Sequence, residues 1–272
     1  MVHTLRPINP IITLITDFGL ADPYVGTMKG VMVSINPLVR LIDITHEVTG
    51  YDVLEAALIL QASYRYFPEG TVHLVVVDPT VGGERRPILA LTDRYAFVGP
   101  DNGVLSPALG DPAFQRCIEL TARRYFLDEI GSTFHGRDIF APVAAWLAKG
   151  VEPEAFGEEI DDFVQLPIPE ATVGEEAIEG RIIYIDRFGN LVSNITHRMI
   201  ETLQARTGRQ KVAIQIAGRS IGRILPSYEA GSTAEPGAVI NSWGNLEIFV
   251  KRADASSLLG VRRGEAIVVR VG

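Results

Sequence analysis

The stretch Val72-His73-Leu74-Val75-Val76-Val77 is apolar at every position but one, and Asp78-Pro79 follows it directly. That is the pattern of a strand buried on both faces of a parallel sheet, and such a sheet needs helices on both sides. The flanking sequence supplies them. Ile11 to Thr16 is a short apolar run that breaks at Asp17-Phe18-Gly19. Asp22-Pro23 then reads as an N-cap followed by proline at the first helical position, with the helix ending near Asn36-Pro37. Leu38 to Ile44 reads as a second strand. Asp52 can cap a helix whose Val53, Ala57, Leu60 and Tyr64 recur on one face, and Pro68-Glu69-Gly70 stops it. Arg137 to Lys149 reads as the last helix of this layer. The expectation is an α/β fold whose N-terminal domain, residues 1–168, carries a mainly parallel sheet.

From about Leu166 to Glu179 the chain turns proline- and glutamate-rich, which reads as a linker over 169–179. The remainder, 180–272, has short apolar runs at Arg181 to Ile185, Val212 to Ile216, Leu246 to Val250 and Ala266 to Val271, separated by Gly, Asn and Asp. This pattern predicts a smaller β domain. Three N-terminal runs end in or lead into a carboxylate, at Asp17, Asp43 and Asp78. Ligands of open α/β sheets bind beyond the carboxyl ends of the strands, so these groups are candidates for one crevice.

Composition narrows the partner. Of 272 residues 47% are hydrophobic, enough for a substantial core. The single cysteine, Cys117, excludes an intrachain disulfide and provides no metal-ligand spacing, which makes a cytoplasmic setting the default. Met1 to Pro10 is mixed in character and the apolar run after it ends at Asp17, too soon for a signal-peptide core or a membrane span. A net charge of −8 without a basic run argues against a nucleic-acid partner. No G-x-G-x-x-G follows the first strand and no P-loop occurs, so a dinucleotide or nucleoside triphosphate has no motif behind it. A small molecule remains.

Four clusters carry polar chemistry. Asp78-Pro79-Thr80-Val81-Gly82-Gly83-Glu84-Arg85-Arg86 reads equally as a Gly/Pro loop with a salt bridge. Thr133-Phe134-His135-Gly136-Arg137-Asp138 reads as the start of a helix, Ile185-Asp186-Arg187-Phe188-Gly189-Asn190 as a β-turn, and Asn241-Ser242-Trp243-Gly244-Asn245-Leu246 as a hairpin. Taken in order with Thr16-Asp17-Phe18-Gly19, Lys29-Gly30, Asp43-Ile44-Thr45-His46-Glu47, Phe67-Pro68-Glu69-Gly70 and Gly99-Pro100-Asp101-Asn102-Gly103, they span nearly the whole chain. This series resembles the S-adenosyl-L-methionine hydroxide adenosyltransferases, the hydrolase relatives of the fluorinases and chlorinases.

The resemblance implies an N-terminal α/β domain joined to a C-terminal β-barrel-like domain, and homotrimers with the substrate at the seam between subunits. It implies hydrolysis of S-adenosyl-L-methionine to adenosine and methionine with no cofactor and no metal. The catalytic triad would be Asp78, Arg85 and His135. Halogenases replace both the Asp78 and the His135 positions, so water rather than halide is the expected nucleophile. Asp17 would accept from the ribose hydroxyls, Tyr51 would pack near the ribose and methionine chain, and Thr80 would sit beside the reacting carbon. Phe188 and Tyr228 would sandwich adenine while Asn190 reads its edge. Asp186, Asp22 and Ser242 would bind the amino-acid end, although Trp243 stands where halogenases place an arginine for the carboxylate.

Those residue types suit the reaction. A sulfonium leaves as a neutral thioether, so the demand falls on producing and aiming the nucleophile. Arg85 can stabilise hydroxide but is a poor proton acceptor. His135, with an ordinary pKa of ~6.5, is the better base if one is used. Two readings from other classes stay open: a non-catalytic sensor of S-adenosylmethionine or adenosine, and a metal-dependent phosphohydrolase using Asp17, Asp78, His135 and Asp138 as hard ligands.

Overall fold

The computed structural model describes residues 10–272, and the expectation about Met1 to Pro10 falls almost wholly outside them. The chain forms two compact units, one ending at Pro167 and the other beginning at Ile168. No helix of the described residues is long and apolar enough to cross a membrane.

The first unit is layered. Its elements are β1 (Ile11–Thr16), α1 (Tyr24–Ile35), β2 (Arg40–Thr45), α2 (Val53–Ser63), β3 (Val72–Val76), β4 (Pro87–Thr92), β5 (Ala96–Pro100), α3 (Ser106–Leu109), β6 (Phe114–Glu119), α4 (Ala141–Ala148) and β7 (Glu159–Ile160). Among the described residues they build a seven-stranded sheet in the order β2-β1-β3-β5-β4-β6-β7. The pairs β2-β1, β1-β3 and β3-β5 are parallel, as the buried runs imply. The pairs β5-β4, β4-β6 and β6-β7 are antiparallel, so the sheet is mixed and not mainly parallel. Only three residues separate β4 from β5, too few for the crossover that a parallel pair requires.

Alternation along β3 shows why its run is continuous. Val72, Leu74 and Val76 enter the core shared with Met28 and Met32 of α1 and Val143 and Ala144 of α4. Val75 and the following Val77 enter the opposite core with Ala56 and Leu60 of α2 and Ala108 of α3. The polar exception, His73, is fully buried against the rings of Tyr64, Phe67, Tyr95 and Phe97, and its Nδ1 meets Thr13 Oγ1 at 2.7 Å. Burial pulls its pKa down to about 3, so it serves this core as a neutral ring.

Helix starts divide by cap. Asp52 caps α2 as expected, accepting from the Glu55 N–H at 2.9 Å. Asp22 does not cap α1. That helix begins at Tyr24 with Pro23 at its N-cap and no side-chain cap bond, one residue later than the Asp-Pro pair predicts. The Arg137 to Lys149 helix opens as a π-helical turn, Gly136–Phe140, before continuing as α4.

The second unit contains β8 (Thr172–Val173), β9 (Ala177–Ile185), β10 (Leu191–Thr196), α5 (His197–Thr207), β11 (Val212–Ile216), β12 (Arg219–Ile221), β13 (Gly237–Ile240), β14 (Asn245–Phe249), α6 (Ala255–Leu259) and β15 (Ala266–Val271). Its strand pairings are antiparallel, in the order β12-β11-β15-β9-β10-β14-β13, with β8 added on β9. The long β9 pairs through one part with β15 and through its end with β10, which curls the sheet toward a barrel around Ile182, Leu191, Ile214, Ile248 and Val269. Thr172–Val173, within the segment read as a linker, pairs with β9.

Candidate active site

The first unit gathers its charged groups at one end of the parallel strands. Thr16 of β1 is in register with Val76 of β3, so Asp17 and Asp78 emerge from neighbouring strand ends. Asn102, in the loop after β5, donates to the Val77 carbonyl at 2.9 Å and braces the strand end that carries Asp78. Arg86 donates to Asp101 in the same loop at 2.7 and 3.0 Å, leaving its neighbour Arg85 to face the other way.

Arg85 joins residues far apart in sequence. Its Nε donates to both Asp78 oxygens at 3.0 and 2.9 Å, and its Nη2 also donates to Asp78 Oδ2. The same Nη2 lies 2.8 Å from His135 Nδ1. A guanidinium can only donate, so Nδ1 is the acceptor and the neutral ring carries its proton on Nε2. The Asp78 and Arg85 side chains are 5% and 6% exposed, and the guanidinium lies over the Phe140 ring, 5.1 Å from its centroid. Burial, and after it the Arg85 charge, lower the His135 pKa, while Asp78, Asp138 and the Gly131 backbone oppose them.

Two loops had to fit together for this contact. Gly82 has φ +77, and a Cβ there would collide with the Ser132 carbonyl, so the 78–85 turn closes on the 131–135 loop only with glycine. Asp138, fully buried, secures the second loop by accepting from the Gly131 N–H at 2.8 Å.

Asp17 accepts from the Tyr51 N–H at 2.8 Å, and Tyr51 holds φ +67 with its ring exposed. Thr80 is exposed on the turn after Asp78, and Asp22 is exposed just before α1. Asp43 is engaged by other partners. It lies within β2, opposite Leu14, and binds Lys29 at 2.6 Å and His46 at 3.0 Å. The other ring nitrogen of His46 meets Thr16 Oγ1 at 2.9 Å, and its carbonyl accepts from the Gly19 N–H at 2.7 Å. Asp43 and His46 thus brace the backbone on both sides of Asp17, a task that residue type alone did not reveal.

In the second unit a cavity of roughly 630 Å³ is lined by four predicted residues, Asp186, Phe188, Asn190 and Tyr228, together with Phe249 and the Lys251 to Asp254 segment, which the sequence reading missed. The Asp186 to Asn190 turn is self-bonded. Asp186 Oδ1 accepts from the Phe188 and Asn190 N–H groups at 2.9 Å each, and Oδ2 accepts from the Asn190 amide at 2.9 Å. Phe188 is left 75% exposed, and the Asn190 amide oxygen keeps its acceptor capacity. Ser242 and Trp243 lie on the β13–β14 turn outside this lining, with the Trp243 ring 5.3 Å from that of Tyr184.

Comparison with known proteins finds two domain models along the chain. The model of the SAM hydroxide adenosyltransferase N-terminal domain matches residues 12–157, and that of the C-terminal domain matches 180–268. An (R)-S-adenosyl-L-methionine hydrolase of Salinispora tropica is 35% identical over 271 residues, covering 97% of this chain and 99% of the relative. One from Methanocaldococcus jannaschii is 36% identical over 272 residues, covering 96% and 95%. A fluorinase of an Actinoplanes species is 27% identical over 292 residues, covering 96% and 97%. The crystal structure of an uncharacterized conserved protein from Thermotoga maritima superposes with a TM-score of 0.87 at 35% identity, covering 96% of this chain and 99% of that one. With both domain models matched in order along one chain, this protein belongs to the SAM hydroxide adenosyltransferase family.

Proposed function

We propose that this chain is an enzyme that hydrolyses S-adenosyl-L-methionine to adenosine and L-methionine. The observation that carries the reading is the Asp78-Arg85-His135 contact, in a chain 35–36% identical to named (R)-S-adenosyl-L-methionine hydrolases. Water or hydroxide attacks the ribose 5′ carbon as the carbon–sulfur bond breaks. The bonding pair stays on sulfur as a neutral thioether, and the proton of the attacking water goes to solvent. Arg85 supplies a fixed positive charge that favours hydroxide over water, and Asp78 holds that guanidinium in place. The His135 lone pair is occupied by Arg85, which makes His135 an orienting donor through Nε2 and favours capture of hydroxide over transfer to this ring.

Asp17, Tyr51 and Thr80 take the ribose side, and Phe188, Tyr228 and Asn190 hold adenine in the second unit's cavity. Asp22, Asp186 and Ser242 meet the amino-acid end. Both Asp186 oxygens are already engaged within its turn, so its part is to present Asn190 as much as to meet an ammonium. The domains are 1–168 and 180–272, a cytoplasmic homotrimer brings the two kinds of half-site together between subunits, and no cofactor, nucleic acid or membrane takes part. The phosphohydrolase reading fares worse because both Asp78 oxygens face a guanidinium, a poor setting for a metal ligand. A sensor would have no use for a buried nucleophile-aiming cluster.

Hydrolysis in oxygen-18 water tests the reaction. Label in the adenosine 5′ hydroxyl, none in methionine and full activity in EDTA are expected; label in methionine or a need for divalent metal would overturn it. Co-assembly of Asp78→Asn with Asp186→Ala chains, assayed at a substrate concentration at which each homotrimer alone is inactive, tests the trimer. Recovery is expected where intact half-sites pair, and none in mixed trimers verified by native mass spectrometry would place the whole site within one chain.

A further inference from the structure

Glu247 lies on β14 in the barrel wall and is 3% exposed. Its oxygens are met by neutral donors: Tyr228 Oη donates to Oε1 at 2.7 Å and Asn241 Nδ2 donates to Oε2 at 3.0 Å. Burying a carboxylate in this way costs more than an apolar side chain of the same size. Burial pushes the Glu247 carboxyl above its ordinary range, the bonds from Tyr228 and Asn241 pull the other way, and the Asp186 charge adds to the rise. A neutral residue would fill the space more cheaply.

The two donors belong to different parts of the unit. Tyr228 lines the cavity with Phe188 and Asn190, its ring edge-on to Phe249 at 5.0 Å. Asn241 opens the turn that carries Ser242 and Trp243. The Asn241 amide cannot turn over, because its Oδ1 accepts from the Trp243 and Asn245 N–H groups at 3.0 and 3.1 Å. Its NH2 therefore has to face Glu247. Asn241 thus requires an acceptor, and an ionised carboxylate accepts from it and from the Tyr228 hydroxyl at once.

We infer that Glu247 is a positioning residue for substrate binding, one carboxylate that sets the Tyr228 wall of the adenine cavity and the Ser242-Trp243 turn as a single piece. The inference rests on the assignment of Tyr228 and Ser242 to the substrate made above. Glu247→Gln can serve the Asn241 NH2 with its oxygen only by turning its own NH2 toward Tyr228 Oη, which reverses that bond and takes the carboxylate acceptor from the Tyr228 hydroxyl proton. Glu247→Gln combined with Asn241→Asp restores the pattern at unchanged net charge. The carboxylate introduced by Asn241→Asp can accept from both backbone N–H groups and from the glutamine, whose oxygen then serves Tyr228.

Full-length variants are compared by steady-state kinetics with S-adenosyl-L-methionine, by calorimetry with adenosine and by melting temperature. Glu247→Gln should raise KM and the adenosine Kd about tenfold, which is what roughly 1.4 kcal/mol from the lost buried carboxylate acceptor provides. Its kcat should stay within about twofold, and the double variant should return KM to within about threefold of wild type. Tyr228→Phe, which keeps the ring and cuts the tether, should raise KM by about threefold to tenfold and covers the case in which Glu247→Gln fails to fold. Unchanged KM and Kd in Glu247→Gln or Tyr228→Phe, or a folded double variant no better than the single, would overturn the inference. The adenosine Kd reads it even if the wild-type chain makes no adenosine, an outcome that would instead sink the functional reading.

Discussion

The two units organise their polar groups by opposite means. In the first, a pair of full charges, Asp78 on Arg85, sits within hydrogen-bond distance of the neutral His135 ring at the junction of two loops that close through Gly82. In the second, the cavity is walled by rings and a self-bonded turn, and its buried carboxylate, Glu247, is held by neutral donors. In the first arrangement each group fixes the protonation or direction of the next. In the second, only the buried donors around Glu247 are held in a forced pattern. Chemistry should therefore fail in kcat when the first unit's Asp78-Arg85-His135 cluster is altered, and binding should fail in KM when the second unit's cavity is.

The largest effect belongs to Asp78. Alanine there would leave a buried guanidinium unpaired, which costs about 3–5 kcal/mol and confuses folding with catalysis. Asp78→Asn keeps the shape and one acceptor, and His135→Gln does the same for the ring. Each should lower kcat by roughly 10²–10³-fold while the adenosine Kd moves by less than about threefold. Single-turnover assays with calorimetry would read both quantities. A folded Asp78→Asn chain with near-normal kcat would break the division.

How much of this was legible in the sequence depends on whether a signal was local. β3 and α2 announce themselves, one by a continuous apolar run and the other by Asp52 and a helical stripe. β10 does not, because Ser193 and Asn194 interrupt its apolar residues. Both are buried, with Ser193 donating to the Leu246 carbonyl and Asn194 to that of Pro169. Partners 53 and 25 positions away cannot be inferred from spacing. The antiparallel half of the first sheet was hidden for a different reason, since strand direction is set by a three-residue connection and not by the strands' own composition. The triad was visible as residue types in a familiar order, yet the 2.8 Å approach of Arg85 to His135 spans 50 positions and appears only in three dimensions. Glu247 escaped notice because a glutamate in a strand reads by default as facing solvent.

Phe188→Ala tests the other half of the comparison. The ring is 75% exposed on a turn that keeps its bonds without it, so stability should change by less than about 0.5 kcal/mol. Stacking of a base on an aromatic ring is worth about 1–3 kcal/mol, which predicts a rise in KM and in the adenosine Kd of roughly 5-fold to 150-fold with kcat nearly preserved. Loss of kcat without loss of affinity would show that this ring serves the chemistry and would erase the distinction between the units.

Gly82→Ala sharpens the comparison, since it changes no polar group. A Cβ at φ +77 is strained by itself, and here it would also strike the Ser132 carbonyl, so the two loops must part. The expected cost is about 1–3 kcal/mol of stability, with kcat lowered about tenfold as His135 moves off Arg85. Gly208→Ala makes the control: it carries the same kind of φ, +69, at the end of α5 with open space around it. It should lose comparable stability or less and no activity. Equal loss of kcat in both would mean that strain, not loop closure, is what activity senses.

The smallest effect is in pH dependence across the neutral range. His135 works in the neutral form, because only then can Nδ1 accept from Arg85, and a proton placed there would set two donors against each other. Burial and the Arg85 charge both lower its pKa below the ordinary ~6.5, against the opposing pull of Asp78, Asp138 and the Gly131 backbone. The active form is the deprotonated one, so activity is retained above the shifted pKa and lost as pH falls through it. The acid limb of kcat/KM should consequently lie below pH ~6.5, and between about pH 6.5 and 8 the rate should vary by less than about twofold from this group. His73, with its pKa near 3, does not titrate in that interval and cannot supply the limb. An NMR titration of the ring Cε1–H signals, with the His135 resonance assigned by its absence in His135→Gln, should give a midpoint below ~6.5. A midpoint above that value would mean that the carboxylates outweigh burial and the guanidinium. His135 would then be protonated near neutral pH, and the first unit's cluster would hold its charges in a different order from the one its hydrogen bonds describe.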